Sequence, residues 1–207
     1  MKWTRIVTLI LASILLIAGL VALFARESIE NAYLSNKADN ELQKYDNENK
    51  ETDKPKSDSK SDFAIPKDKD KVAAKIEIPS AKIKEPIYPG DATKSQLEKG
   101  LAFVEKDENM RDQNVSIAGH NYTDNRNKGF NNLHKIKKGD KIYVSFKGKK
   151  STYKLTQSKD VKPNESDVLE DDKSSKKDVI TLITCDDYDS KTDKWLTRSV
   201  YTAEKVS

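Results

Sequence analysis

One cysteine and two histidines are present in the sequence, so few groups could carry out nucleophilic chemistry near neutral pH. Cys185 ends the apolar run VITLITC, and His120 ends the shorter run VSIAGH. Arg198 lies within WLTRSV, where Leu196 and Val200 are its neighbours at two residues' distance. A thiol, an imidazole and a guanidinium could together form a nucleophilic site.

Each of these residues also has an ordinary structural interpretation. A single cysteine in an exported protein is either a small buried hydrophobe or a reactive thiol. His120 shares a strand face with the small residues Ala118 and Ser116, which leaves space for a substrate chain but fits a structural histidine equally well. Arg198 alternates with apolar residues, so it lies either on an apolar face or at an exposed strand edge. His134, in the lysine-rich segment NNLHKIKKGD, is interpreted as a surface residue.

The composition excludes several classes of function. Charged residues make up 35% of the chain, yet the formal net charge is only +4, because lysines alternate with Asp and Glu. Such a mixed surface is typical of a solvated face, and the sequence has no arginine-rich patch with interleaved aromatic residues. We therefore expect no nucleic-acid partner. A single cysteine also excludes an internal disulfide.

The N-terminal part has the composition of a membrane anchor followed by a spacer. Residues 6–25 are almost continuously apolar and long enough for a helix of about 20 residues to span a bilayer. A cleavable signal peptide is the alternative, but its apolar region would be about 7 to 15 residues long. Lys2 and Arg5 predict a cytoplasmic N-terminus, residues 1–5, and an extracellular remainder. Residues 26–62, rich in Asn, Lys, Asp, Glu and Ser, are predicted to form a flexible or partly helical extracellular stalk.

Residues 63–207 have the pattern of an all-β domain. Short runs with period-two alternation recur between Gly, Pro, Asn and Asp clusters, which indicates seven or eight strands in a barrel or sandwich. The runs are 75–79, 83–88, 115–120, 141–146, 151–156, 179–185 and 195–203. Short helices are predicted near residues 93–100 and 130–137.

The motif TLITC, the arginine that follows it and the upstream AGH resemble the class A sortases. Further similar segments are VAAKIEIPSAKIKEPIYPG, QNVSIAGH, DVKP and TLITCDDYDSKTDKW. The resemblance implies an eight-stranded sortase-type β-barrel with short helices. It also implies a cysteine transpeptidase that cuts LPXTG sorting signals of secreted proteins between Thr and Gly through a thioacyl intermediate on Cys185. The surface protein would then be joined to an amine of a peptidoglycan precursor, either lipid II or a cross-bridge.

The same resemblance implies a substrate groove and an activating metal. The groove residues would be Ala92, Val104, Ala118, Val168, Leu169, Ile183, Thr184 and Trp195. Val104 stands where the family has a smaller residue. An activating, non-catalytic Ca²⁺ site, as in the calcium-responsive branch, would consist of Glu105, Glu108, Asp112 and Asp171. Asp171 stands in place of a family glutamate, and a solvated acidic loop is the alternative.

The sequence leaves two other functions to consider. A pilus-polymerising sortase would normally carry a lid segment before the barrel and often a second hydrophobic anchor after it, whereas this sequence ends in YTAEKVS. A non-enzymatic, calcium-binding surface module would use Cys185 only as a structural residue. Replacing Cys185 by alanine distinguishes the enzyme from the binding module.

Overall fold

Short segments in which every second side chain is apolar form the strands of the C-terminal part, because alternate residues of a strand point to opposite faces. The computed structural model describes residues 2–49, 63–105, 110, 114–121, 128–165, 178–192 and 194–206. The α-helices are α1 (Lys2–Asn49) and α2 (Lys94–Lys99). The strands are β1 (Ala74–Ile78), β2 (Ile83–Tyr88), β3 (Leu101–Phe103), β4 (Asn114–Gly119), β5 (Lys141–Phe146), β6 (Lys149–Val161), β7 (Val179–Asp189) and β8 (Lys194–Lys205).

These strands close into an eight-stranded barrel in the order β1-β2-β3-β4-β7-β8-β6-β5. Pairing of β1 with β5 completes the ring and closes the barrel. Most neighbours are antiparallel, but β2 pairs with β3 and β4 pairs with β7 in parallel. The predicted all-β barrel is confirmed.

The side chains on the inward face of each strand fill the barrel interior and form the core. Fully burying one such aliphatic side chain contributes roughly 1.5 to 3 kcal/mol of transfer free energy. Side chains with no solvent exposure include Ile76, Ile87, Leu101, Phe103, Ile117, Ile142, Ile180 and Leu182.

The predicted short helices are only partly present. Residues 93–100 contain α2, which Thr93 caps by accepting a hydrogen bond from the Gln96 backbone N–H at 3.4 Å. Residues 130–137 contain only a 3-10 turn over Leu133–Lys135, and a second 3-10 turn covers Pro79–Ala81. The sequence patterns did not predict β3, whose three residues are too few to show alternation.

The chain divides into two units, Met1–Lys37 and Ala38–Ser207. In the first unit, Arg5–Ala22 is the only described helical segment long and apolar enough to cross a membrane. None of that segment is buried within the protein. The predicted anchor over residues 6–25 therefore coincides with a helix that fits a single membrane span.

The second unit begins inside α1 and includes its last twelve residues. Leu42 and Tyr45, three residues apart on one helix face, are buried, and Tyr45 clusters with Val72 and Tyr88 of the barrel region. The Tyr45 hydroxyl donates to the Ser145 carbonyl at 2.9 Å. Within the segment 26–62 predicted as a stalk, residues 38–49 are thus helical, and their buried side chains belong to the same compact unit as the barrel. Residues 50–62 lie outside the described part.

Candidate active site

The parallel pairing of β4 with β7 brings the histidine and the cysteine to neighbouring positions. The register runs from Asn114 opposite Val179 to Gly119 opposite Thr184. His120 and Cys185 are the next residues on the two segments. Because parallel strands run in the same direction, both residues lie at the same edge of the barrel.

Strand alternation places these two side chains on the outer face of the barrel. A Cβ at Gly119 would point inward, where it would meet Leu101 and lie 2.7 Å from the Phe130 ring. Leu182 and Thr184 are buried on the inward side of β7. The residues between and after these positions, including His120 and Cys185, therefore face outward. Cys185 is partly exposed, as a nucleophile must be.

The arginine reaches the same face from the other side of β7. Cys185 and Arg198 are direct register partners in the antiparallel β7–β8 pair, so their side chains lie side by side. Arg198 is half-buried, and Val200, two residues further along β8, is 1% exposed. The structure thus brings together the thiol, the imidazole and the guanidinium that the sequence singled out.

The local electrostatics favour the uncharged forms of the cysteine and the histidine. Partial burial raises the pKa of the Cys185 thiol, the positive charge of Arg198 lowers it, and Asp186 raises it again. Burial also lowers the pKa of His120, while the negative charge of Glu98 opposes that change. Near neutral pH the thiol and the neutral imidazole are therefore the major species, and the thiolate–imidazolium pair is a minority.

The sequence interpretation did not include Asn121 in the site. Its side-chain amide donates to the Cys185 carbonyl at 3.1 Å, just beyond the last paired residues of β4 and β7. The Thr184 hydroxyl donates to the Gly119 carbonyl at 3.0 Å. These two hydrogen bonds continue the link between β4 and β7 as far as His120 and Cys185. The sequence shows an asparagine directly after His120, but its hydrogen-bond partner can be identified only once the pairing of β4 with β7 is known.

Several of the predicted groove residues lie on the same outer face. Ala102 of β3 pairs with Ala118 of β4, and Val104 continues that face, its N–H donating to the Ser116 carbonyl at 2.9 Å. Ile183 is paired with Ala118 across the β4–β7 junction. Ala118, Val104 and Ile183 thus lie on the same face of the barrel as Cys185.

The other predicted groove residues occupy different positions. The Thr184 side chain points into the barrel and is 5% exposed. Trp195 pairs with Tyr188 and, by alternation along β8, lies on the opposite face from Arg198. Ala92 lies in the loop between β2 and α2, where it has a φ of 37°. Val168 and Leu169 are outside the described residues.

The predicted metal site falls mostly outside the described part of the chain. Glu105 is exposed just after β3, whereas Glu108, Asp112 and Asp171 are not among the described residues. Within residues that are described, no group of three or more His, Cys, Asp or Glu side chains could hold a metal ion. His134 is exposed, and its Nδ1 lies 3.1 Å from the Asn131 carbonyl.

A closed barrel that presents a single thiol beside an imidazole and a guanidinium defines a cysteine enzyme of the acyl-transfer class. The Sortase domain model matches residues 76–206, and the chain belongs to this family. It is 43% identical to Sortase A of Staphylococcus aureus over 206 residues, which cover 99% of this chain and 98% of that protein. Sortase A of Bacillus anthracis is 37% identical over 120 residues, covering 57% of this chain and 54% of the relative.

Solved structures agree with the family assignment. The crystal structure of Listeria monocytogenes sortase A superposes with a TM-score of 0.57 and 28% identity. That match covers 66% of this chain and 88% of the Listeria chain. The chain is accordingly a cysteine transpeptidase that acts on the LPXTG sorting signals of surface proteins and joins them to cell-wall precursors.

Proposed function

We propose that Cys185, His120 and Arg198 carry out the transpeptidation in two acyl-transfer steps. The Cys185 thiolate attacks the threonine carbonyl carbon of LPXTG, and the resulting oxyanion is stabilised by the Arg198 guanidinium. The Thr–Gly carbon–nitrogen bond then breaks, the leaving amine takes a proton from His120, and a thioester remains on Cys185.

The second step reverses the roles of the same groups. An incoming amine attacks the thioester carbonyl and gives its proton to His120, and the carbon–sulfur bond breaks to regenerate the Cys185 thiolate. The observation that carries this assignment is the direct pairing of Cys185 with Arg198, in a chain without another thiol. The pKa directions favour an active form that is a minor thiolate–imidazolium population.

The partners and the location follow from the same assignment. The substrates would be secreted proteins that end in an LPXTG signal, and the acceptor an amine of lipid II or of a peptidoglycan cross-bridge. The apolar helix over Arg5–Ala22 would anchor the enzyme with its N-terminus in the cytoplasm and the barrel outside. Lys2 and Arg5 support that orientation.

The catalytic assignment is tested with matched histidine variants and with a cysteine variant. Cys185→Ala and His120→Ala should each abolish cleavage of an LPXTG peptide and its ligation to triglycine, followed by mass spectrometry. His134→Ala is the matched control and should retain native rates, because His134 lies on an exposed turn. Cleavage that persists in Cys185→Ala would contradict the enzyme assignment.

We propose, further, that Ca²⁺ activates the enzyme through Glu105, Glu108, Asp112 and Asp171. Carboxylate oxygens from two segments suit this hard cation, which would stabilise the binding-competent form of the substrate loop. Millimolar Ca²⁺ should then raise the rate of peptide cleavage, and Glu108→Gln should reduce that response. Equal rates of the native enzyme in chelator and in Ca²⁺ would refute the metal assignment.

A further inference from the structure

Strand β2 carries a buried carboxyl group that the reaction described above does not use. Glu85 is 5% exposed, and its Oε1 accepts a hydrogen bond from the Gly129 backbone N–H at 3.0 Å. Its Oε2 is buried and has no hydrogen-bond partner within the part of the chain that is described. A half-satisfied carboxyl inside a protein is destabilising, so its presence calls for a physical reason.

Glu85 binds the segment 128–130, which is also hydrogen-bonded to the backbone of His120. Lys128 donates from Nζ to the Glu98 carbonyl of α2 at 2.7 Å. Gly129 donates to Glu85, and Phe130 donates from its backbone N–H to the His120 carbonyl at 2.9 Å. Three consecutive residues therefore connect α2, β2 and the backbone of the proposed general acid.

Residues 128–130 are held in place by tight packing and by the backbone conformation of Gly129. Phe130 is 1% exposed, and its ring occupies the space that a Cβ at Gly119 would enter. Gly129 has a φ of 61°, in the left-handed region that favours glycine. The Gly129 N–H is thus aimed inward by a fixed backbone conformation, and Glu85 is the group that receives it.

We propose that Glu85 is a positioning residue for His120, acting through its hydrogen bond to Gly129 and the adjoining Phe130 contact. This inference depends on the catalytic role proposed for His120. Loss of the acceptor at position 85 frees the 128–130 segment from β2. Because the Phe130 N–H is hydrogen-bonded to the His120 carbonyl, the imidazole then loses its fixed position and part of its shielding from water.

The role proposed for Glu85 depends on its hydrogen bond to Gly129 and does not require a negative charge. Burial raises the pKa of Glu85 to about 7, while the Gly129 hydrogen bond and the nearby positive charge of Lys128 oppose the rise, and Asp39 adds to it. Burial also raises the pKa of Tyr88 on the same strand, with smaller contributions from the negative charges of Glu41 and Glu85. A carboxyl oxygen accepts the Gly129 N–H in both protonation states.

Two variants separate contact from charge. Glu85→Gln keeps an acceptor oxygen at the same reach without the charge, whereas Glu85→Asp keeps the charge but is one methylene too short. Glu85→Met, which has a similar volume and no comparable acceptor, serves as a second contact-removing variant should the aspartate variant not fold. Thermal unfolding of each full-length variant establishes that it is folded.

The readout is NMR titration of the histidine Cε1–H signals together with steady-state kinetics on an LPXTG peptide. The signal of His134, the only other histidine in the sequence, is the internal reference in each spectrum. Glu85→Asp or Glu85→Met should raise the pKa of His120 towards its ordinary value, because burial is what lowers it. The same variants should lower kcat about tenfold with little change in KM, as expected for a displaced catalytic group.

Glu85→Gln should retain the native titration of His120 and a kcat within about twofold of the native enzyme. An unchanged His120 titration in the aspartate and methionine variants would overturn the proposal, as would a glutamine variant as impaired as the other two. If the contact-removing variants shift the pKa of His120 while kcat stays native, the catalytic role of His120 fails, whereas its positioning by Glu85 through Gly129 and Phe130 stands.

Discussion

The reactivity of Cys185 depends on two opposing influences. Partial burial disfavours the thiolate and the adjacent Arg198 guanidinium favours it, with burial the larger. The thiol pKa is therefore above its ordinary value even though a positive charge lies beside it. An enzyme with this balance keeps most of its thiol protonated and uses a minor ionised fraction.

Alkylation of the single cysteine by iodoacetamide measures this balance directly. The rate should rise with pH and reach its half-maximum above about 8.5, the ordinary value for a thiol, because only the thiolate reacts. In Arg198→Ala the half-maximum should move to higher pH, since the stabilising positive charge is gone. Lys194→Ala, an exposed position on the same strand, is the control. A native half-maximum below pH 8, or an identical profile in Arg198→Ala, would contradict the assigned cause.

The amide of Asn121 should contribute to the rate without contacting the reacting bond. Asn121→Ala removes its hydrogen bond to the Cys185 carbonyl, which is worth about 0.5 to 1.5 kcal/mol for neutral groups. We expect kcat to fall about 2- to 10-fold, with KM nearly unchanged, in peptide-cleavage assays. Asn40→Ala, an exposed position on α1, should behave as the native enzyme. A selective increase in KM would instead make Asn121 a substrate-binding residue.

At the scale of elements, the sequence predicted those strands whose alternation is long enough to recognise. The apolar run before Cys185 and the alternation around Arg198 predicted β7 and β8, but the alternation left open which face of β8 carries the arginine. The register that pairs Cys185 with Arg198 was not predictable from these patterns, because it depends on the length of the hairpin between them. Strand β3 and the Asn121 contact depend on pairing between distant segments and leave no local pattern.

The docked end of α1 was missed for a different physical reason. Its composition is that of a disordered segment, but Leu42 and Tyr45 share one helix face, and Asp46 pairs with Lys75 of β1 at 2.8 Å. The average polarity of this segment does not reveal two apolar residues whose packing partners lie on another element. Tertiary contacts thus convert the end of the predicted stalk into part of the folded domain.

This docking should contribute measurably to the stability of the barrel unit. Leu42 is 1% exposed, so Leu42→Ala should lower the free energy of unfolding by about 2 to 4 kcal/mol through lost burial and a cavity. Leu34→Ala is the matched control, in the same helix but within the first unit, and should cost less than about 1 kcal/mol. Urea unfolding of the full-length chain in detergent, followed by near-UV circular dichroism, measures both. Equal effects would show that residues 38–49 do not stabilise the barrel.

For the whole molecule, the order of the strands explains why the site lies where it does. Strands β5 and β6 intervene in sequence between β4 and β7, yet β4 and β7 are neighbours in the closed barrel. The parallel β4–β7 junction brings His120 to Cys185, and the β7–β8 hairpin adds Arg198. A site assembled from three strands in this way exists only when the barrel is closed, so activity and global stability are linked.

Glu85 makes that stability depend on pH in a direction opposite to that of a carboxylate stabilised by an ion pair. Its pKa is raised from about 4.3 in an unfolded chain to about 7 in the fold, mainly by burial. The protonated carboxyl is therefore favoured by folding, and its contribution is fully present below about pH 4. It is lost progressively as the pH rises to 7, by an amount on the order of a few kcal/mol.

Glu85→Gln should remove this dependence, because the amide does not titrate. The difference in free energy of unfolding, variant minus native, should therefore increase between pH 4 and pH 7 and then level off. Any constant cost of burying the amide N–H groups shifts the difference equally at every pH and leaves its slope unchanged. Glu165→Gln, at an exposed position, is the control for the loss of one carboxyl group from the surface. Urea unfolding at half-unit pH steps measures the three proteins, and parallel curves for Glu85→Gln and the native chain would show that Glu85 ionises as an ordinary surface carboxylate.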